Sequence, residues 1–171
     1  MSDEGPAPII VTALLGPADS AWADGLRQAH FPPERNHLAA HLTMFHHLPP
    51  SVEPDLCHRL AGETRAPRPP ARLAGVLKLG KGTAFRIESD ALAAIRRRLA
   101  DAFGSVLTPQ DAGGWRAHVT VQNKVSPADA RALYEDLSAR FTPRPIEISG
   151  LAAWWYRGGP WERIAAYPFR G

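Results

Sequence analysis

Two short stretches of this chain carry an imidazole and a hydroxyl at the same spacing, His41-Leu42-Thr43-Met44 and His118-Val119-Thr120-Val121. In an extended strand successive side chains alternate faces, so each copy sets His and Thr on one face and two apolar side chains on the other. An unperturbed imidazole titrates around 6.5 and can give or take a proton near neutral pH. A hydroxyl two residues along can donate to a negatively charged oxygen. A single such triplet carries little weight in a chain with 7 His. Two copies, each with apolar neighbours at the strand period, predict a site with paired acid–base groups and paired oxyanion donors.

The elements that must position them repeat as well. At the offset that maps His41 onto His118, Leu48 falls on Val125, Pro50 on Pro127, Leu56 on Leu133 and Leu60 on Leu137; upstream, Ile10 falls on Ile87 and Thr12 on Ser89. Self-similarity of this length predicts two pseudo-symmetric lobes, and a two-fold axis between them would let both His/Thr faces meet across one central groove. Apolar runs bounded by turn formers predict strands over 8–15, 71–79, 83–88, 146–156 and 161–169, with Gly80-Lys81-Gly82 as a hairpin connection. Helical spacing predicts helices over 19–29, 51–64 and 90–103. A further helix to Arg140 starts at Ser126-Pro127-Ala128-Asp129, an N-cap followed by proline at the first helical position. In the 90–103 helix Leu92, Ile95, Leu99 and Phe103 share a face, and Arg96-Arg97-Arg98 are expected on a solvated one. The turn-rich 108–114 segment is expected to be a mobile loop over a site. The fold class is α+β: one domain over 1–171, in two lobes, each an antiparallel or mixed sheet flanked by helices.

Composition bounds the function. With 171 residues and 44% hydrophobic content, the chain can bury one good core. A single cysteine, Cys57, and a start at Met1-Ser2-Asp3-Glu4 without a basic, apolar leader point to a cytoplasmic monomer. No stretch approaches the roughly 20 apolar residues that span a bilayer. A net charge of +3 and a pI near 9.4 admit a polyanionic partner without requiring one. His37, His41, His46 and His47 cluster locally, but no HExxH, cysteine pair or spaced carboxylate joins them, so neither metal nor cofactor is expected. Trp154, Trp155, Tyr156 and Trp161 offer faces on which a nucleobase can stack, with about half of them expected in the core.

The stretches HLTMFHHLP and HVTVQNKV resemble the paired signature motifs of the 2H phosphoesterase superfamily, which includes the so-called 2′-5′ RNA ligases and 2′,3′-cyclic phosphodiesterases. The resemblance covers essentially the whole chain. It implies metal-independent opening of a 2′,3′-cyclic phosphate on an RNA end or nucleotide, or of a related sugar cyclic phosphate, with 2′-5′ ligation as the reverse direction. His118 would activate water and His41 would protonate the leaving oxygen, with Thr43 and Thr120 donating to the phosphoryl oxygens. Where a small residue and then Arg often follow the second motif, this chain has Gln122, Asn123 and Lys124. Strand alternation carries Gln122 and Lys124 onto the His118 face and makes Lys124 a candidate phosphate contact. The same alternation carries Phe45 and His47 onto the His41 face, Phe45 as a substrate-contacting wall, and leaves His46 on the core side or at the strand end. Two alternatives stay open: a non-catalytic RNA-binding module using a basic groove, and an enzyme for a small cyclic nucleotide.

Overall fold

Aliphatic runs closed by Gly and Pro become strands, and the amphipathic runs between them become helices. The computed structural model describes residues 6–171; the Met1–Glu4 stretch read above for a leader lies outside them. In chain order the elements are β1 (Ile9–Leu15), α1 (Pro17–His30), β2 (Leu42–Leu48), α2 (Glu53–Glu63), β3 (Arg72–Lys78), β4 (Thr83–Glu88), α3 (Asp90–Ala102), α4 (Pro109–Ala112), β5 (His118–Gln122), α5 (Pro127–Arg140), β6 (Arg144–Pro145), β7 (Ile148–Trp155) and β8 (Glu162–Pro168). They form an α+β fold with two four-stranded sheets, ordered β2-β1-β7-β8 and β5-β4-β3-β6. Every strand pair is antiparallel. Each motif strand is an edge strand of its sheet, and the two edges touch, so β2 and β5 form the seam between lobes.

Local chemistry sets the helix starts. Ser89 accepts from the Leu92 amide at the start of α3, and Ser126 from the Asp129 amide with Pro127 at the first position of α5. The core runs along both sheets and takes in Ile9, Val11, Leu42, Met44, Leu48, Leu56, Leu60, Leu92, Leu99, Val119, Val121 and Leu151. Each buried Leu, Ile or Val contributes on the order of 1.5–3 kcal/mol by leaving water.

Two expectations change. The constant offset does not hold upstream of the motifs: Thr12 lies opposite Thr43, while the residue opposite Thr120 is Ala84, so Thr12 corresponds to Ala84 and not to Ser89. The connection into the second motif strand is longer than that into the first, and it carries α4. Arg96 is the second change. It is buried, because it sits four residues after Leu92 and three before Leu99 and thus on the apolar stripe of α3.

Candidate active site

The two motifs receive matched local treatment from the fold. His41 Nδ1 donates to the Ala39 carbonyl at 2.8 Å, and His118 Nδ1 donates to the Arg116 carbonyl at 2.8 Å. A carbonyl can only accept, so each ring carries its proton on Nδ1 and leaves Nε2 without a hydrogen-bond partner among the described residues. Thr43 and Thr120 are each held through the backbone by a side chain from the other half. Trp115 Nε1 donates to the Thr43 carbonyl at 3.0 Å, and the Arg27 guanidinium donates to the Thr120 carbonyl at 3.0 Å. These reciprocal ties cross the seam and fix the motif strands against each other. Neither threonine hydroxyl makes a hydrogen bond among the described residues, so both remain available to a ligand.

Arg27 is buried in α1, with its Nε on Asn36 and its guanidinium 4.3 Å from the centroid of the Phe31 ring. Burial pushes the pKa of His41 down to about 4, outweighing the favourable bond to the Ala39 carbonyl, and the charges of Arg27, His118 and His46 push it further the same way. His41 is therefore neutral at physiological pH. The unfolded chain protonates this residue near 6.5 and the folded one only near 4. Its contribution to stability is thus complete above about pH 6.5 and is lost as pH falls towards 4. A phosphodiester keeps one negative charge through this window and raises the pKa when it sits on Nε2. NMR titration of the His41 ring should give a midpoint near 4 in the free protein and a higher one with a dialkyl phosphate bound; a midpoint of 6.5 without ligand would mean an open, hydrated ring.

Two recesses flank the motifs. One, of about 350 Å³, lies against His41 and is lined by Trp154, Trp161, His37, Leu38 and Pro160. The Trp161 ring is 4.7 Å from the His41 ring between centroids, and Trp154 is 6.2 Å from Trp161 and donates to the Thr12 hydroxyl at 2.9 Å. Trp155 instead packs against the core, and Tyr156 is exposed. The other recess, of about 280 Å³, joins Thr43 of the first motif to His118 of the second, with His46, Gln110, Trp115 and Arg116 around it.

Several side chains stand where alternation did not put them. The register between β1 and β2 is irregular on both sides of Val11, which pairs with Phe45. Extra residues on β2 break the alternation. Met44 and Phe45 are both fully buried, and Phe45 packs under the Arg96 guanidinium at 4.3 Å instead of walling the groove. His46 lines the recess in its place, and His47 is exposed beside it. Strand β5 ends at Gln122, which is buried and accepts from the Thr83 hydroxyl. Lys124 follows on a turn with φ 62°, exposed and outside both recesses, so it does not continue the His118 face.

The 108–114 segment is pinned. Asp111, 1% exposed, accepts from the backbone N–H groups of His46 and His47 and from His46 Nδ1 at 2.9 to 3.2 Å, and Arg96 donates to its carbonyl. Burial pushes this carboxyl up, but the bonds from the His46 ring and the two amides outweigh it and hold it below its usual range. Arg27, Arg96, Trp115 and Asp111 hold the motif strands without standing out in the sequence as site residues. Arg96 alone left a signal, its place on the apolar stripe. Among the described residues no group of three or more His, Cys, Asp or Glu is placed to hold a metal ion, and no helix is long and apolar enough to cross a membrane.

The profile of the 2′-5′ RNA ligase superfamily matches residues 15–160, a span that includes both motifs. The chain belongs to this superfamily. Among solved structures it resembles TT0787 of Thermus thermophilus, with a TM-score of 0.68 at 15% identity over 96% of this chain and 98% of that one. It also resembles E. coli LigT complexed with 3′-AMP, with a TM-score of 0.66 at 16% identity over 98% and 100%. The NADP+ complex of E. coli LigT gives 0.62 at 17% identity, again over 98% and 100%. At these identities the likeness shows a shared fold. No curated protein sequence matches. Membership supports a phosphoesterase or ligase type of enzyme in general terms.

Proposed function

We propose that this protein is a metal-independent phosphodiesterase that opens 2′,3′-cyclic phosphates of RNA ends or nucleotides by acid–base catalysis between His41 and His118. The observation that carries the proposal is the matched treatment of the two motifs: each ring is held through Nδ1 by a carbonyl two residues back with Nε2 left unpartnered, and each motif threonine keeps a hydroxyl without a partner among the described residues. Opening the ring needs a base for the attacking water, an acid for the departing sugar oxygen and donors for the phosphoryl oxygens between them. His118 takes the water proton and His41 returns one to the leaving oxygen, which requires His41 to gain a proton as the anionic substrate arrives. Thr43 and Thr120 donate to the phosphoryl oxygens, and in the ligation direction the two histidines exchange roles. The indoles of Trp154 and Trp161 beside His41 suit a nucleobase. E. coli LigT has been crystallised with 3′-AMP and with NADP+, in keeping with a nucleotide in such a groove. Phe45 and Lys124 have no part in this proposal.

Because every step is assigned to side chains of the chain, hydrolysis of a nucleoside 2′,3′-cyclic phosphate should continue at an unchanged rate in a strong chelator. Complete loss in chelator, restored by a divalent ion, would replace this mechanism with a metal-assisted one.

A further inference from the structure

Pseudo-symmetry presents the same His/Thr pair to the phosphate from both lobes, so the flanks of the groove decide what else a substrate carries. The two flanks differ in kind. Beside His41 stand two indoles, whereas beside His118 the recess offers polar groups: Arg116, Gln110 and the His46 ring, with Leu77, Leu79 and Trp115 as its apolar walls. Arg116 and Gln110 make no side-chain hydrogen bond or ion pair among the described residues. His46 spends Nδ1 on Asp111 and leaves Nε2 without a partner. Among the described residues Asp111 is the one carboxylate lining this recess, and its oxygens accept from the His46 ring and the amides of His46 and His47. These hydrogen bonds offset part of the Asp111 charge, Arg96 donates to the carbonyl of the same residue, and the bulged end of β2 holds the His46 ring in place.

Resting on the proposed reaction at His41 and His118, we infer that this recess binds a second phosphate, the one on the 5′ oxygen of the nucleotide whose cyclic phosphate is opened. The guanidinium fork of Arg116 matches two phosphate oxygens, the Gln110 amide N–H reaches a third, His46 donates from Nε2 once its ring is protonated between the Asp111 carboxylate and the phosphate, and the leucines cover sugar carbons. The chemistry is shared by a free 5′-monophosphate and by the 5′ phosphodiester of an RNA chain.

The test is a binding ratio, measured at fixed ionic strength because exposed charges are screened by salt. Adenosine 2′,5′-bisphosphate should bind about 10- to 100-fold more tightly than adenosine 2′-monophosphate, the range expected for hydrogen bonds to a charged group. Arg116→Ala and His46→Ala should each bring that ratio below about threefold, and the exposed position of Arg116 makes its variant safe for folding. Equal affinity of wild type for the two ligands, or a ratio unmoved in both variants, overturns the inference. A dinucleotide ending in a 2′-phosphate identifies the source. A gain equal to that of the bisphosphate supports an RNA end as substrate, and a gain confined to the monoester supports a mononucleotide. Turnover is scored separately on the matching 2′,3′-cyclic phosphates. If the bisphosphate preference holds and none of them is opened, the second-phosphate site stands and the proposed reaction falls.

Discussion

His41→Ala and His118→Ala should each lower single-turnover hydrolysis of a nucleoside 2′,3′-cyclic phosphate by about 10²- to 10⁴-fold, the range general acid–base catalysis supplies. Both imidazoles serve one transition state, so the double variant should lose far less than the product of the two single losses. Ground-state affinity for the product nucleotide should change little by comparison. Each ring is held by one bond to a nearby carbonyl, at 2.8 Å in both cases, and both are partly buried polar groups that take no part in the hydrophobic core. Both variants should therefore fold, which a thermal melt would check. Wild-type cleavage in both variants with a collapse of RNA affinity would instead identify a binding module, for which a matched His/Thr pair has no use.

Thr43→Ala and Thr120→Ala should each cost about 10- to 100-fold in turnover, because a neutral hydroxyl donating to a charged oxygen is worth roughly 1.5 to 3 kcal/mol. The two losses should be similar in size. Each threonine is anchored through its carbonyl by a side chain crossing the seam, Trp115 in one case and Arg27 in the other, and that tie survives removal of the side chain. Serine at either position should restore most of the rate, since it keeps the donor and loses only the methyl. A loss in Thr→Ala that Ser does not recover would assign these residues to packing.

The sequence by itself determined the pairing of the motifs, the α+β class and nearly every element. These follow from short-range rules: strand alternation around His41 and His118, prolines and serines at helix starts, glycines at turns. Two His/Thr pairs with apolar neighbours are readable because strand period and apolar burial act on adjacent residues. The family resemblance rested on those same letters, and the superfamily match agrees with it.

Tertiary structure decided what alternation could not. The irregular pairing of β1 with β2 is a property of two strands together, and it turned Phe45 into the core and His46 towards the groove. Where β5 ends at Gln122 a hairpin turn distant in sequence comes close: a Cβ on Gly82 would lie 2.0 Å from the Gln122 carbonyl oxygen, so only glycine lets that turn approach so closely. Beyond that point Lys124 leaves the face it was expected to share. Arg27 and Asp111 became legible only once the chain had folded, because a charged residue on a helix or in a loop looks solvated until its partners are known. Those partners, the carbonyl of Thr120 for Arg27 and the amides of His46 and His47 for Asp111, lie more than 60 residues away along the chain. A buried charge is tolerated only where such partners compensate its lost hydration, and in both cases here they belong to, or lie beside, the strands that carry the histidines.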